Sequence, residues 1–480
     1  MRVVFVSSEI SPFATTGGLG EVGSSLPRAL HRLGANVLRV MPLFRQVWDG
    51  RYDLKDTGLR LKIPLGFQLR TAEVWTAEKP EPPTYFIRRD EFFDRREMYG
   101  LPERDYDDNF ERFVFFQKAV VALMDALNWA PDIVHGNDWC AGLLPLFLRH
   151  GIQGMGRTGT EKSVFTIHNL AYQGIFPGAD FSLTNLPFQA FSIETMEFYG
   201  KINCLKAGLM SSQLVTTVSP SYAREIRTSE LGCGLDGVLM YLQERMIGIL
   251  NGVEYEIWNP LTDRLIRCNY DGEHLENKLR CKEALLRHEG LDEDRAAPLI
   301  GMISRLVDQK GLDILSAAMP QLMELGVRFV LLGSGQENYQ RMCLEWNRQW
   351  PGKFHATLGY DNRLAHQIEA GADILLMPSK YEPCGLSQLY ALRYGTIPVV
   401  HATGGLNDTI TELTPDGAAG NGIKFREYTP EALIGGVRQA LGFYGRPDVW
   451  RAVQQRIMLE DYSWTKSAEA YQQAYRQLMA

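Results

Sequence analysis

Short apolar runs of strand length alternate with amphipathic stretches along most of the chain. The clearest example lies at residues 373–405, where the apolar run 374–377 is followed by a loop with Pro and Gly at 382–385. Within 386–394, Leu386, Leu389, Tyr390 and Arg393 then recur at helical spacing, and a second apolar run covers 397–400. This order predicts a strand, a loop, a helix and a second strand.

The same alternation predicts two series of strands with helices between them. Residues 51–110 interrupt the first series, because they are β-rich and irregular, with candidate strands at 60–65, 73–77 and 84–89. The predicted strands cover residues 3–6, 36–41, 132–135, 163–167, 214–218 and 246–250 in the first series, and 298–304, 329–332, 355–358, 374–377 and 397–400 in the second. The predicted helices cover residues 22–33, 110–127, 275–286, 311–323, 338–348, 386–394 and 465–478.

Alternating strands and helices form parallel sheets with helices on both faces. The sequence therefore predicts an α/β fold of two doubly wound domains that face each other across a cleft. The stretch after residue 252 contains Pro260 and shows no clear periodicity, which marks the boundary. We predict an N-terminal domain at 1–252, a C-terminal domain at 253–460 and, at 461–480, a helix that crosses back to the first domain.

Composition narrows the class of protein. A chain of 480 residues is too long for one ordinary core, in agreement with two domains. The net charge of −7 and the lack of a basic block argue against nucleic acid as the main partner. The apolar runs are too short to cross a membrane, and the chain enters a strand at once, without a signal peptide. The seven cysteines form no CxxC pair, so we expect a cytoplasmic enzyme without a metal.

A Gly-rich stretch at residues 8–21 separates the first predicted strand from the first helix. Residues 18–23 match G-x-G-x-x-G, the pattern of dinucleotide-binding loops. However, the second strand ends in Val40-Met41-Pro42, without an acidic residue for a ribose, and a long loop precedes the first glycine. We interpret the stretch as a flexible lip over a site rather than as an NAD site.

Polar residues follow several predicted strands at their carboxyl ends, where open parallel sheets bind ligands. Asp138 follows the strand at 132–135, and His168 follows the strand at 163–167. Each could be a structural cap by itself. Together with the Gly-rich stretch, they predict the rim of an active site.

In the second series of strands, cations and a carboxylate likewise follow the carboxyl ends of predicted strands. Arg305 and Lys310 lie on a loop that leads into a helix, an arrangement suited to a diphosphate. Glu382 accepts hydrogen bonds when ionised and is suited to sugar hydroxyls. The N–H groups of residues 384–386 open a helix and are suited to an anion such as phosphate.

Two further strand ends carry residues suited to ligand contact. Gly333 ends the strand at 329–332, and its missing side chain lets a backbone approach a ligand. Tyr360 follows Gly359 at another strand end, where it either stacks on a base or packs against its own loop.

Several blocks of sequence resemble one family, the bacterial glycogen synthases and starch synthases. In chain order the blocks are SEISPF…TGGLGEV, NDWCAG, HNLAYQG, LNGVE, SRLVDQKGLD and YEPCGLSQLYALRYGT…GGLNDT, and they span residues 8–409. The resemblance implies the GT-B fold, with two Rossmann-like domains. It also implies retaining transfer of glucose from ADP-glucose to the non-reducing end of an α-1,4-glucan, without a cofactor or a metal.

The resemblance also implies roles for residues. Arg305 and Lys310 would hold the diphosphate and stabilise its leaving charge, and Glu382 would bind the glucose 3- and 4-hydroxyls. His168 would contact the glucose near its anomeric centre, and Tyr360 would stack on adenine. Asp138 would be a further catalytic residue and, with Asn169, would line the sugar and acceptor side. The other implied substrate-binding residues are Thr15, Gly17, Gly18, Leu19, Glu21, Ser304, Gly333, Cys384, Gly385, Leu386 and Ser387.

The chain departs from the family pattern in three blocks. Thr15 stands where the family has the lysine of Lys-Thr-Gly-Gly, Glu21 stands where Asp is usual, and Asn137-Asp138-Trp139-Cys140 replaces His-Asp-Trp-His. Losing the lysine removes one charged contact with the donor. A catalytically weak glucan-binding homologue and a relative that uses UDP-glucose therefore stay open as alternatives. Front-face attack and double displacement both stay open as routes to retention.

Overall fold

The computed structural model describes residues 1–101, 104–153, 155 and 161–480. Its chain forms two compact units. The N-terminal unit comprises Met1–Val218, Ala223–Asn251 and Trp464–Ala480, and the C-terminal unit comprises Ser219–Tyr222 and Gly252–Ser463.

The N-terminal unit is built on a mixed sheet, in which the described residues contribute nine strands in the order β14-β13-β9-β8-β1-β2-β5-β4-β3. The strands from β14 to β5 pair in parallel, whereas β4 and β3 add an antiparallel hairpin at one edge. The strands up to residue 248 are β1 (Arg2–Val6), β2 (Asn36–Pro42), β3 (Lys55–Leu65), β4 (Gln68–Ala77), β5 (Thr84–Arg88), β6 (Gly100–Leu101), β7 (Arg104–Asp105), β8 (Ile133–Asn137), β9 (Lys162–Ile167), β10 (Ile175–Pro177), β11 (Glu197–Phe198), β12 (Lys201–Asn203), β13 (Leu214–Thr217) and β14 (Met246–Gly248).

The central strand β1 is buried on both faces of this sheet. Val4 and Val6 belong to one apolar cluster, whereas Val3 and Phe5 belong to another. Successive side chains of a strand point to opposite faces, so each face of β1 has its own core. Burial on both faces explains why the strand reads as a continuous apolar run in the sequence.

The sequence predicts two helices in this part of the chain, and the one predicted at 110–127 begins one residue earlier, at Asn109. Helix α1 begins at Gly18 rather than at residue 22, so residues 18–21 form its first turn instead of the predicted loop. Glycines are poor helix formers, which hides this start in the sequence. The helices up to residue 241 are α1 (Gly18–Arg32), α2 (Arg45–Asp49), α3 (Asp90–Phe93), α4 (Asn109–Ala126), α5 (Leu144–His150), α6 (Cys204–Ser211), α7 (Pro220–Glu225) and α8 (Asp236–Tyr241).

The C-terminal unit has a fully parallel sheet, in which the described residues contribute six strands in the order β17-β16-β15-β18-β19-β20. Its strands are β15 (Leu299–Ile303), β16 (Arg328–Gly333), β17 (Phe354–Leu358), β18 (Ile374–Met377), β19 (Ile397–His401) and β20 (Ile423–Phe425). Its helices are α9 (Glu276–His288), α10 (Leu312–Glu324), α11 (Glu337–Gln349), α12 (Asn362–Gly371), α13 (Ser387–Arg393), α14 (Gly404–Thr409), α15 (Pro430–Tyr444) and α16 (Pro447–Ile457).

The predicted strands of both series are confirmed, with ends moved by at most two residues. The candidate strands at 60–65, 73–77 and 84–89 are also confirmed, although the first two begin five residues earlier than predicted. The α/β class is confirmed as well. The prediction did not assign the edge strand β20, the short strands β6, β7, β10, β11 and β12, or the helices α2, α3, α5, α6, α7, α8, α12, α14, α15 and α16.

The last helix, α17 (Trp464–Met479), belongs to the N-terminal unit. Trp464, Tyr471 and Tyr475 are buried in the same apolar cluster as residues of β1 and α1. The Tyr475 hydroxyl lies 2.6 Å from Nδ1 of His135, whose Nε2 lies 2.6 Å from the Thr166 hydroxyl. Burial lowers the pKa of His135 to about 3, so this imidazole is neutral and both of its nitrogens are hydrogen-bonded.

We expect Tyr475→Phe to lower the free energy of unfolding of the N-terminal unit by about 1–3 kcal/mol, because a buried His135 nitrogen loses its partner. Urea unfolding followed by circular dichroism measures this loss. Tyr199→Phe is the matched control, because Tyr199 is 87% exposed and its hydroxyl lies in solvent. Equal stability of the two variants would contradict the role given to the Tyr475 hydroxyl.

Candidate active site

In the N-terminal unit, two predicted site residues meet at the carboxyl ends of β8 and β9. These neighbouring parallel strands pair Asn137 with Thr166, so the residues that follow them lie side by side. Asp138 accepts a hydrogen bond from the backbone N–H of His168 at 2.8 Å through Oδ1. Asp138 has a φ of 52°, which a residue other than glycine adopts only when its surroundings hold it there.

Asn137 orients the imidazole of His168. The Asn137 amide nitrogen donates to the Val6 carbonyl at 3.0 Å, so its Oδ1 faces Nε2 of His168 at 2.9 Å. Nε2 must therefore carry the proton, which leaves Nδ1 as the acceptor nitrogen. Burial lowers the pKa of His168 to about 3, so the ring is neutral at physiological pH. The sequence did not identify Asn137; its place at the end of a predicted strand was the available signal.

Asp138 lies in an environment that disfavours its charge. Burial raises its pKa to about 7, with a further increase from the negative charge of Glu9. Hydrogen bonds from the backbone N–H groups of His168 and Asn169 act in the opposite direction. Asp138 therefore titrates near neutral pH, which is characteristic of functional carboxylates.

Glu9 organises the loop that precedes α1, a role that the sequence did not reveal. Its side chain is buried and accepts hydrogen bonds from the Thr16 backbone N–H at 2.6 Å, the Thr16 hydroxyl at 2.8 Å and the Tyr99 hydroxyl at 2.8 Å. The loop is thus anchored to the body of the unit by one carboxylate.

The predicted lip residues surround the first turn of α1. The Thr15 hydroxyl donates to the Gly17 carbonyl at 3.0 Å, and its side chain lies against Gly20, where an added Cβ would collide with it. Gly17 and Gly18 are exposed, with open space where a side chain would be. Leu19 and Glu21 follow in the first turn of the helix.

In the C-terminal unit, Lys310 and Glu382 form an ion pair. The Lys310 Nζ lies 2.6 Å from Oε2 of Glu382, which also accepts a hydrogen bond from the Ser379 hydroxyl at 2.9 Å. Glu382 is only 6% exposed. A buried carboxylate requires such partners, because losing its hydration is costly.

Arg305 and Gln309 extend this cluster. Arg305 is exposed, and its guanidinium donates to Oε1 of Gln309 at 3.4 Å. Gln309 itself donates to the Tyr381 carbonyl at 3.1 Å and accepts the backbone N–H of Lys380 at 2.8 Å. It therefore joins the loop after β15 to the loop after β18. Its role was not predicted, although it lies between the two predicted cations.

Two glycines allow the loops to approach closely. Gly311 has a φ of 73°, and a Cβ there would collide with the Pro378 carbonyl oxygen. Gly333 lies against the Ser304 carbonyl in the same way. The absence of a side chain at Gly333 thus serves backbone packing against Ser304, in addition to any approach of a ligand.

The other predicted residues of this unit line the same strand ends. Tyr360 is 89% exposed after β17. Cys384 is buried, and Gly385, Leu386 and Ser387 are partly buried in the turn that leads into α13. The Ser304 hydroxyl is buried without a hydrogen-bond partner in the described part of the chain.

Chemically, the C-terminal cluster offers two cations and a buried carboxylate, whereas the N-terminal cluster offers a neutral imidazole and a carboxylate that titrates near pH 7. No group of three or more metal-ligating side chains occurs among residues 1–101, 104–153, 155 and 161–480. Over the same ranges, no helix has the length and hydropathy to cross a membrane.

Comparisons with known proteins agree on one family. The starch synthase catalytic domain matches residues 2–241, and the group 1 glycosyl transferases match residues 286–451. A glycogen synthase of Syntrophotalea carbinolica is 40% identical, over 99% of this chain and 98% of its own length. A glycogen synthase of Anaeromyxobacter sp. (strain Fw109-5) is 43% identical, over the full length of both chains.

Solved structures extend the comparison to the fold. The catalytic domain of starch synthase IV from Arabidopsis thaliana, bound to ADP and acarbose, superposes with a TM-score of 0.92. It is 32% identical and covers 100% of this chain and 99% of its own. Sucrose-phosphate synthase from Thermosynechococcus elongatus has a TM-score of 0.62 over 99% of this chain and 98% of its own. At 18% identity, that second structure supports the fold alone.

We expect Gly311→Ala to destabilise the C-terminal unit more than Gly326→Ala. Both glycines have a φ near 75°, which costs an alanine about 1–2 kcal/mol. Only at Gly311 does the new Cβ also meet a backbone carbonyl, which adds about 1–3 kcal/mol of overpacking. Urea unfolding of both variants measures the difference in the free energy of unfolding. Equal losses would show that the loop after β18 moves to accommodate the new Cβ without further destabilisation.

Proposed function

This chain belongs to the glycogen synthase and starch synthase family of glycosyltransferases, and from that premise we propose that it transfers glucose from ADP-glucose to the non-reducing end of an α-1,4-glucan with retention, extending glycogen in the cytoplasm. The observation that carries the proposal is the cluster of Arg305, Lys310 and Glu382 at the carboxyl ends of β15 and β18. Two cations beside a buried carboxylate suit a sugar joined to a diphosphate.

The proposed chemistry requires charge stabilisation at both ends of the breaking bond. Breaking a glycosyl–phosphate bond places negative charge on the diphosphate, where Arg305 and Lys310 would stabilise it. Glu382 would accept hydrogen bonds from the glucose hydroxyls. Positive charge would develop at the anomeric carbon, and we propose that Asp138 and His168 act there: an ionised Asp138 would be favourable and a protonated His168 would not. The low pKa of His168 keeps that ring neutral.

A transfer assay tests the proposal directly. Labelled glucose is supplied as ADP-glucose or as UDP-glucose, with glycogen as the acceptor, and the label in the polymer is counted. We expect incorporation from ADP-glucose to exceed incorporation from UDP-glucose. Greater incorporation from UDP-glucose would assign the other donor, and no incorporation from either would overturn the proposal.

Thr15 favours a second candidate, a catalytically weak glucan-binding homologue. Its hydroxyl is engaged by the Gly17 carbonyl, so this position brings no cation to a donor. Glycogen binding without incorporation in the same assay would favour this candidate.

We expect Arg305→Ala and Lys310→Ala each to reduce kcat by about 100-fold, or roughly 3 kcal/mol, because each removes a cation from the leaving diphosphate. Steady-state kinetics with ADP-glucose measures this loss. A rise in KM with kcat unchanged would show that the residue binds ground state and transition state equally.

The two variants should differ in stability. Lys310→Ala leaves the buried Glu382 without its cation, which is destabilising, whereas Arg305 is exposed. Lys310→Met combined with Glu382→Gln removes both charges and should recover stability without recovering kcat. Recovery of kcat in that double variant would contradict the catalytic roles.

We expect kcat/KM to fall as the pH drops through about 7, because Asp138, with its pKa raised to about 7, becomes protonated there and loses its negative charge. His168 cannot produce this change, since its pKa lies near 3. The measurement is kcat/KM from pH 5 to 9 for the wild type and for Asp138→Asn. The variant should be less active and should lack the change near pH 7; a persistent change would assign it to another group.

A further inference from the structure

In the C-terminal unit, the indole of Trp258 lies between side chains of two helices that begin beside the candidate site. Its ring stacks on His366 of α12, with centroids 3.8 Å apart and an interplanar angle of 7°. Its other face stacks on Tyr390 of α13, at 4.0 Å and 6°. Three parallel rings in contact require both helices to keep one spacing and one rotation. We call residues 255–263, which include Trp258, the clamp segment.

Polar contacts tie the clamp segment to the same two helices. Oδ2 of Asp263 accepts a hydrogen bond from Nδ1 of His366 at 2.7 Å and from the Tyr394 hydroxyl at 2.6 Å. Oδ1 of Asn259 accepts from the Arg393 guanidinium at 3.2 Å. His366 and Asp263 are 1% and 5% exposed, so these contacts are sheltered from water. The segment therefore fixes α12 and α13 by stacking and by hydrogen bonds.

Helix α13 carries the turn that contains Glu382. Gln388, in the first turn of α13, donates to the Cys384 carbonyl at 3.1 Å and the Gly385 carbonyl at 3.0 Å. Tyr390, which touches Trp258, lies two residues further along the same helix. A shift or rotation of α13 would therefore move the turn at 382–385, and with it the carboxylate paired with Lys310.

Helix α12 holds the loop that contains Tyr360. Oδ1 of Asp361 accepts the backbone N–H of Leu364 at 2.9 Å and caps the helix. Tyr360 is the residue before this cap. His366, which touches the other face of Trp258, lies within the same helix. One indole thus sets the spacing between the helix behind Tyr360 and the helix behind Glu382.

We propose that Trp258 is a positioning residue for glucose transfer: its indole, held between His366 and Tyr390, keeps the Tyr360 loop and the Glu382 turn at the spacing that the nucleotide sugar requires. This inference rests on the proposed function and names a residue that acts only through α12 and α13. Small displacements suffice for a large effect, because a shift of about 1 Å in a reacting group can cost on the order of 100-fold in rate.

The test compares Trp258→Ala and Trp258→Phe with Trp346→Ala. Trp346 is the control, because it is a second tryptophan of the C-terminal unit, is 6% exposed and contacts Phe354 at the amino end of β17, away from the strand end that precedes Tyr360. We expect Trp258→Ala to lower kcat at least about tenfold and to weaken ADP binding measured by calorimetry. Trp258→Phe keeps an aromatic ring in the gap and should recover most of both. Trp346→Ala should lose at least as much thermal stability, because Trp346 is more buried than Trp258. It should keep kcat within about twofold of the wild type, since it leaves the clamp segment intact.

The outcomes separate the clamp from the proposed function. Wild-type protein without glucose transfer would overturn the function, while the ADP affinities of the variants would still test the clamp. Equal kcat and ADP affinity in Trp258→Ala and the wild type would overturn the inference, as would equal losses of kcat in Trp258→Ala and Trp346→Ala. If Trp258→Ala does not fold, Trp258→Leu, which fills the gap without a ring, takes its place, and wild-type kinetics in that variant would likewise overturn the inference.

Discussion

Parallel pairing of strands is the constraint on which the candidate residues of each unit depend. A parallel ladder brings the carboxyl ends of neighbouring strands to one edge of the sheet. In the N-terminal unit, this places Asp138 against His168, 30 positions along the chain. In the C-terminal unit, it places Lys310 against Glu382, 72 positions along the chain. The side-chain contacts are consequences of backbone register, and no local motif could create them alone.

The same constraint explains what the sequence could predict. Apolar runs predicted the central strands because those strands are buried on both faces, and polar residues after those runs indicated Asp138, His168, Arg305 and Lys310 as candidate site residues. Residues whose role depends on a distant partner were missed. Glu9 acts on Thr16 and Tyr99, and Gln309 acts on the loop at 380–381. Their partners become visible only when the chain is folded.

Burial sets the charge states of the site residues in opposite ways. His168 loses its proton because desolvation disfavours the cation, and Asp138 retains its proton to higher pH because desolvation disfavours the anion. The buried carboxylate of Glu382 lies next to Lys310 and accepts a hydrogen bond from the Ser379 hydroxyl. A fixed ion pair of this kind contributes little net stability, because desolvation offsets the Coulomb attraction. Its value lies in holding charges in place before a substrate arrives.

Thr15 shows how a departure from a family pattern acts through local structure. The family's lysine would carry a mobile ammonium on a flexible stem. Here the threonine hydroxyl donates to the Gly17 carbonyl, and the side chain packs against Gly20 in the first turn of α1. The loop is therefore held by a hydrogen bond within itself, and Glu9 anchors it by accepting hydrogen bonds from the backbone N–H and the hydroxyl of Thr16. The backbone N–H groups in the first turn of α1 carry partial positive charge, and the helix fixes their direction. The substitution thus replaces a charged side chain by a hydroxyl that is hydrogen-bonded within the loop. The cations of the proposed donor chemistry are then Arg305 and Lys310.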